Sequence, residues 1–139
     1  MGNQRMQSAI PALALLLAGA GAWAHHSLSG VFDVSKSFEM DGVVSRVDWV
    51  NPHVQVYVDG KGGDGKPLTY KFETLPVAMM RKAGLSKTLL LGEGKPVHIH
   101  AHPARSGEPG HGYMLNISFA DGREIQFSKV PGAESLTPK

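Results

Sequence analysis

The stretch "HVQVYVDG", residues 53–60, alternates without a break: Val54, Val56 and Val58 take one face, and His53, Gln55, Tyr57 and Asp59 the other. Period-two alternation of this kind describes a strand with one face buried and one wet. It excludes a helix here, because valines at every second position cannot share a stripe that repeats every 3.6 residues. The same pattern recurs in "LTYKFE", where Leu68, Tyr70 and Phe72 oppose Thr69, Lys71 and Glu73. It returns in "KPVHIHAHPA", where Val97, Ile99 and Ala101 oppose His98, His100 and His102.

Other segments complete the order. "FEMDGVVSRVDWV", residues 38–50, is long and β-branched in its middle, with Gly42 and Ser45 where a bulge or bend would fall. Asn51-Pro52 punctuates it, and "GKGGDGKP" reads as a hairpin loop. "TLPVAMMRKAG" suggests one short helix, with Thr74 as its cap, a proline in the first turn and Gly84 at its end. "GYMLNISFADGREIQF" is a hairpin around Asp121-Gly122, with Tyr113, Leu115, Ile117 and Phe119 expected on one side and Met114 on the outer face. Three strands, a helix and two or three more strands form the order of an OB-fold-like Greek-key barrel, mainly β, with five to six strands and one short helix. A small sandwich or roll is the alternative, because periodicity alone leaves strand order open.

The start of the chain has another character. Arg5 precedes the apolar run "AIPALALLLAGAGAWA", and Ala22-Trp23-Ala24 fits the small-x-small pattern of signal cleavage. A membrane span needs about 20 apolar residues; this run is shorter and interrupted by Pro11. The expected division is a signal peptide over residues 1–24, an N-terminal arm over 25–37, the barrel over 38–128 and a flexible tail over 129–139. The destination is the periplasm or the exterior, with no stable membrane span after cleavage. A formal net charge of +2, with scattered basic residues, gives no electrostatic reason to expect nucleic acid as a partner. The absence of cysteine excludes disulfides, thiolate zinc sites and a thiol nucleophile.

Cleavage after Ala24 would make His25 the first residue. Its free amine and its own Nδ1 can close a chelate ring on a metal, and a third nitrogen from a distant histidine would complete the T-shaped arrangement called a histidine brace. Copper(II) favours such tetragonal nitrogen sites. His26 is the competing donor on the same arm. His53 is the distant candidate, held by the rigid Asn51-Pro52 turn at the mouth of a strand, with Gln55 and Tyr57 on its face as supporting groups. A turn-capping role, or pairing with Asp48, is the plain alternative for His53.

His98, His100, His102 and His111 are secondary candidates. His98 and His102 lie roughly 13 Å apart on an extended strand, so all three strand histidines cannot easily share one ion, though neighbours two apart can. A polar outer face is the preferred account of them, because polar residues are the default on the wet side of a half-buried strand. His111, in "SGEPGHGY", would join such a site or be solvated. Met79 and Met80 are expected to fill core or groove space, and Met114 is a weak soft-ligand candidate.

No serine has a nucleophile-elbow setting, the carboxylates have no acid/base spacing, and there is no P-loop or dinucleotide fingerprint. The expectation is therefore a non-enzyme. A copper-dependent oxidase or oxygenase ranks lower, since so small a chain leaves little surface for a substrate platform.

The signal ending in "AHHS", the strand leading to "WVNPH", the short helix and "GKPVHIHAHPARSG" together resemble a family of small exported bacterial proteins of unknown function. The resemblance spans His25 to about Phe127 and rests on His25, His26 and Ser27 and on Asn51, Pro52 and His53. It implies export and the small β-fold, and brings the two histidine motifs into one protein. The histidine-rich fourth strand departs from the aliphatic or glycine-containing strand usual there, so it does not extend to a shared site at His98, His100 and His102. The functional expectation is an exported protein binding a transition metal, copper above others, through His25, His26 and His53. Its roles would be metal delivery, storage or sensing, with a periplasmic or membrane protein as partner. The alternative is a metal-free OB-fold module for a ligand or protein, in which Trp49, Tyr57 and Tyr113 would form an outward aromatic surface.

Overall fold

The computed structural model describes residues 28–133. Six strands follow in chain order: β1 (Phe38–Asp48), β2 (Gln55–Lys61), β3 (Pro67–Glu73), β4 (Pro96–Pro103), β5 (His111–Phe119) and β6 (Glu124–Gln126). β1 pairs antiparallel with both β2 and β4, β2 with β3, and β4 with β5. A parallel pairing of β3 with β5 closes these five strands into a barrel, and β6 adds to β5 as a hairpin. The strand order around the barrel is that of an OB-fold, with the helices α2 (Val77–Lys82) and α3 (Lys87–Leu90) between β3 and β4. No helix among the described residues is long and apolar enough to cross a membrane.

β1 serves both halves of the barrel because it is long enough to be shared. Phe38 to Val43 lie along β4, and Val43 to Asp48 along β2. The register slips between Val44 and Arg46, leaving Ser45 as a bulge that bends the strand. At the crossing the two backbones approach so closely that a Cβ on Gly42 would strike the Asp59 carbonyl.

The alternating valines form the expected buried face: Val54, Val56 and Val58 are fully buried with Phe72, Ile99, Ala101 and Ile117. Met80 is fully buried with them and Met79 packs at the edge. The expected alternation fails in β5. The register between β4 and β5 slips after His100, so that His100 faces Asn116 while Ala101 faces Met114, and Leu115 is the extra residue. The slip turns Met114 into the core, fully buried, rather than onto the outer face. It also takes Tyr113 and Leu115 out of the main core into a second cluster with Phe32, Ala104 and Leu28.

Local details also differ. Thr74 does not cap α2, whose start at Pro76 carries no side-chain cap. Thr74 is buried, and its hydroxyl donates to the Val54 carbonyl at 2.8 Å. Ser86, in a stretch with no expected helix, caps α3 by accepting from the Leu89 amide. The arm carries structure of its own: Leu28–Val31 forms the one-turn helix α1, and Phe32 bridges to Ala104 and is 1% exposed. At the other end, Val130 and Ala133, inside the expected tail, are buried against the core, following a 3-10 turn at Phe127–Lys129.

Candidate functional site

His53 stands between the Asn51-Pro52 turn, whose peptide is cis, and the first paired residue of β2. The backbone just after it is fixed from both sides. The Val54 amide donates to the Leu75 carbonyl, and the Thr74 amide and hydroxyl both donate to the Val54 carbonyl. These bonds staple the start of β2 to the chain leaving β3. Gln55 lies directly opposite Glu73 in that register, so the imidazole two residues before Gln55, on the same face, reaches the carboxylate.

The site is built on that carboxylate. His53 Nδ1 lies 3.3 Å from Glu73 Oε2, and His111 Nε2 lies 3.4 Å from Glu73 Oε1. On its far side His111 Nδ1 is 3.6 Å from the Glu108 carboxylate. One carboxylate thus accepts from two imidazoles, one per oxygen. The hydrogen bond from His53 is the largest influence holding Glu73 below the usual carboxylate range; burial opposes it, and the bond from His111 adds to it. Tyr113 lies across the β3–β5 seam from Glu73, and burial, assisted by the Glu73 charge, pushes its phenol up to about 12.

The three groups differ in access. The side chains of His111 and Glu73 are 18% and 23% exposed, against 35% for His53. Phe32 covers His111 edge-on at 5.3 Å between ring centres and tilts against Tyr113 at 5.7 Å. His53 is therefore the member open to a ligand. Its Nδ1 is engaged, and its Nε2 has no partner among the described residues.

α1 is tied down beside this line. The Phe32 amide donates to the Leu28 carbonyl, the Arg105 amide to the Val31 carbonyl, and Arg105 Nε to the Ser29 carbonyl. The Asp33 amide donates to the Pro103 carbonyl. Leu28 lies four residues before the ring that covers His111. His25 and His26 lie outside the described residues.

The secondary histidines are placed apart. His98 Nδ1 lies 2.8 Å from Asp41, with Glu39 3.7 Å from its Nε2, on the outer face of β1 and β4. His102 Nδ1 donates to the Lys36 carbonyl at 2.6 Å. His111 faces Glu73 instead of joining the β4 histidines. His53 pairs with Glu73 rather than Asp48, whose partner is Arg46. Gln55 and Tyr57 bond to each other, and the Arg46 guanidinium sits over the Tyr57 ring. Trp49 packs at the edge of the main core and Tyr113 is buried in the second cluster, so these aromatics do not make one outward surface. Among the described residues no three His, Asp or Glu side chains stand so as to hold a metal ion together.

Residue spacing missed Glu73, because its pairing with His53 depends on the β2–β3 register. The available signal was its position, at the end of the outward face of β3, in a hairpin whose other arm begins two residues after His53.

The fold and this line of half-buried polar groups define a small closed β-barrel with a His–Glu–His array at the β3–β5 seam. The chain belongs to a family of unknown function, DUF6152, whose model matches residues 13–113. That span contains every histidine of the chain, and ends at Tyr113. No curated protein and no solved structure matches it.

Proposed function

We propose that this is an exported, periplasmic protein that binds a transition metal, copper(II) above others, through His25 and His53 with His26 near. Metal delivery, storage or sensing is the role, with handover to a periplasmic or membrane protein. The observation that carries the reading is the state of His53, whose Nδ1 is held by a carboxylate while its Nε2 stands open. Histidines that ligate metals characteristically donate their second ring nitrogen in this way. The described donors are too few to hold an ion alone, so the reading depends on the processed amino terminus. His25 lies three residues before Leu28, about 10 Å of extended chain. Leu28 packs in the cluster that includes Phe32 and Tyr113, beside His111. The amine and imidazole of His25 would supply two nitrogens and His53 the third.

The test is a copper(II) titration of processed protein whose N-terminus is verified by mass. It is run beside His53→Ala and a variant with one residue added before His25. One-to-one binding that weakens at least 10-fold in each variant, as expected for loss of a ligand, supports the site. Equal binding by all three proteins removes it.

A further inference from the structure

We infer that Glu73 is the positioning residue of this site, fixing His53 as the Nδ1–H tautomer so that Nε2 is the nitrogen offered to a ligand. The metal arm of the inference rests on the function proposed above; the tautomer arm does not. A carboxylate beside one imidazole can turn about its broad terminal torsion and let the ring turn with it. Here both oxygens are engaged, Oε2 by His53 and Oε1 by His111. His111 is itself braced: it sits opposite Lys71 in the parallel seam, and Phe32 closes over its edge. Rotation of Glu73 would break two hydrogen bonds at once, so His111 holds the carboxylate and the carboxylate holds His53. His111 therefore acts through Glu73 and need not touch the ligand.

The consequence is selective presentation. A neutral imidazole has one bare nitrogen, and the group that accepts from the other decides which it is. With Nδ1 donating to Glu73, the bare electron pair is on Nε2, on the open side of the ring. Without an acceptor at Nδ1, His53 would divide between tautomers, and a ligand would have to select the productive one.

The tautomers are read directly from the imidazole 15N shifts of metal-free, 15N-labelled protein at pH 8. The wild-type protein should show His53 protonated at Nδ1, and Glu73→Met, which keeps bulk but removes both acceptors, should show a mixture. Copper(II) affinity at the same pH should fall about 10- to 100-fold in Glu73→Met, the usual effect of losing a group that orients a metal-bound histidine. A wild-type His53 protonated at Nε2 overturns the inference without recourse to any variant. A folded Glu73→Met with the wild-type tautomer does the same. Wild-type protein that shows the Nδ1–H tautomer but binds no copper overturns the proposed function and leaves the positioning role standing.

Discussion

Replacing Phe32 by alanine tests whether the N-terminal segment is part of the barrel or merely lies on it. The ring is 1% exposed, and its neighbours are the rings of His111 and Tyr113 with Ala104 and Leu28 around them. Truncating a buried phenylalanine costs about 3–5 kcal/mol when the surroundings cannot collapse into the space. A domain near 100 residues loses roughly 4–5 °C of Tm per kcal/mol, so the expected drop is about 12–25 °C. There is a ceiling on that loss. α1 is held by a few backbone bonds and the Arg105 contact, so the segment can detach once its anchor is gone. Detachment caps the cost at the docking energy of the segment itself. Thermal unfolding measures the total, and amide hydrogen exchange at Arg105 and Asp33 shows whether the bonds to Val31 and Pro103 have opened. A drop below about 4 °C, worth under about 1 kcal/mol, with exchange at those amides unchanged would refute the assignment of Phe32 as an anchor. On the proposed function, copper affinity should fall with it, because a detached segment no longer keeps His25 close to His53.

Glu73→Gln should destabilise the protein in a pH-dependent way. The Glu73 carboxyl is held below its ordinary value of 4.5, so its contribution is complete above that pH and lost as the pH falls through the lowered folded value. The gap in Tm between wild type and variant should therefore be full above pH 4.5 and narrow as the pH falls below it; a constant gap would contradict it. Gly42→Ala should cost about 1–3 kcal/mol through overpacking, because the added carbon meets the Asp59 carbonyl and Val58, and denaturant titration would measure it. Met114→Ala should cost about 2–5 kcal/mol and Leu115→Ala clearly less, since Met114 is fully buried and Leu115 only partly so; the reverse order would place the bulge elsewhere. Thr74→Val removes a donor to the Val54 carbonyl and should cost about 1 kcal/mol, with faster amide exchange at Val54.

The barrel was legible because its strands carry a rule that is local. Alternation in β2, β3 and β4 predicts the buried faces residue by residue, and an apolar residue stands at each inward position. β5 breaks the rule at one residue. The bulge at Leu115 inverts inside and outside for Met114 and Tyr113, and neither residue's chemistry announces it. Phe32 was illegible for a different reason: a single aromatic in a stretch without periodicity has no face to declare, and apart from Leu28 its cluster comes from residues 104–115. His53 stood out through the Asn51-Pro52 turn. Glu73 and the role of His111 did not, because both depend on contacts across registers, 20 residues from His53 to Glu73 and 38 from Glu73 to His111.

The parallel pairing that joins Lys71, Phe72 and Glu73 to His111, Gly112 and Tyr113 is also the seam along which the sheet becomes a tube. The His–Glu–His array straddles that seam, so it exists only once the tube is shut. A chain with β1 to β4 already paired would own every histidine named above and still lack the array. Parallel pairing between distant segments is slow to form, because loop closure precedes any contact that rewards it. Any molecule that binds the finished array and not the open sheet therefore acts as a clasp. At 100 times its Kd it would hold the barrel shut by about 2.7 kcal/mol more than the bare protein. Loading and locking would then be one event, and loss of the ligand would return the seam to its own weaker hold.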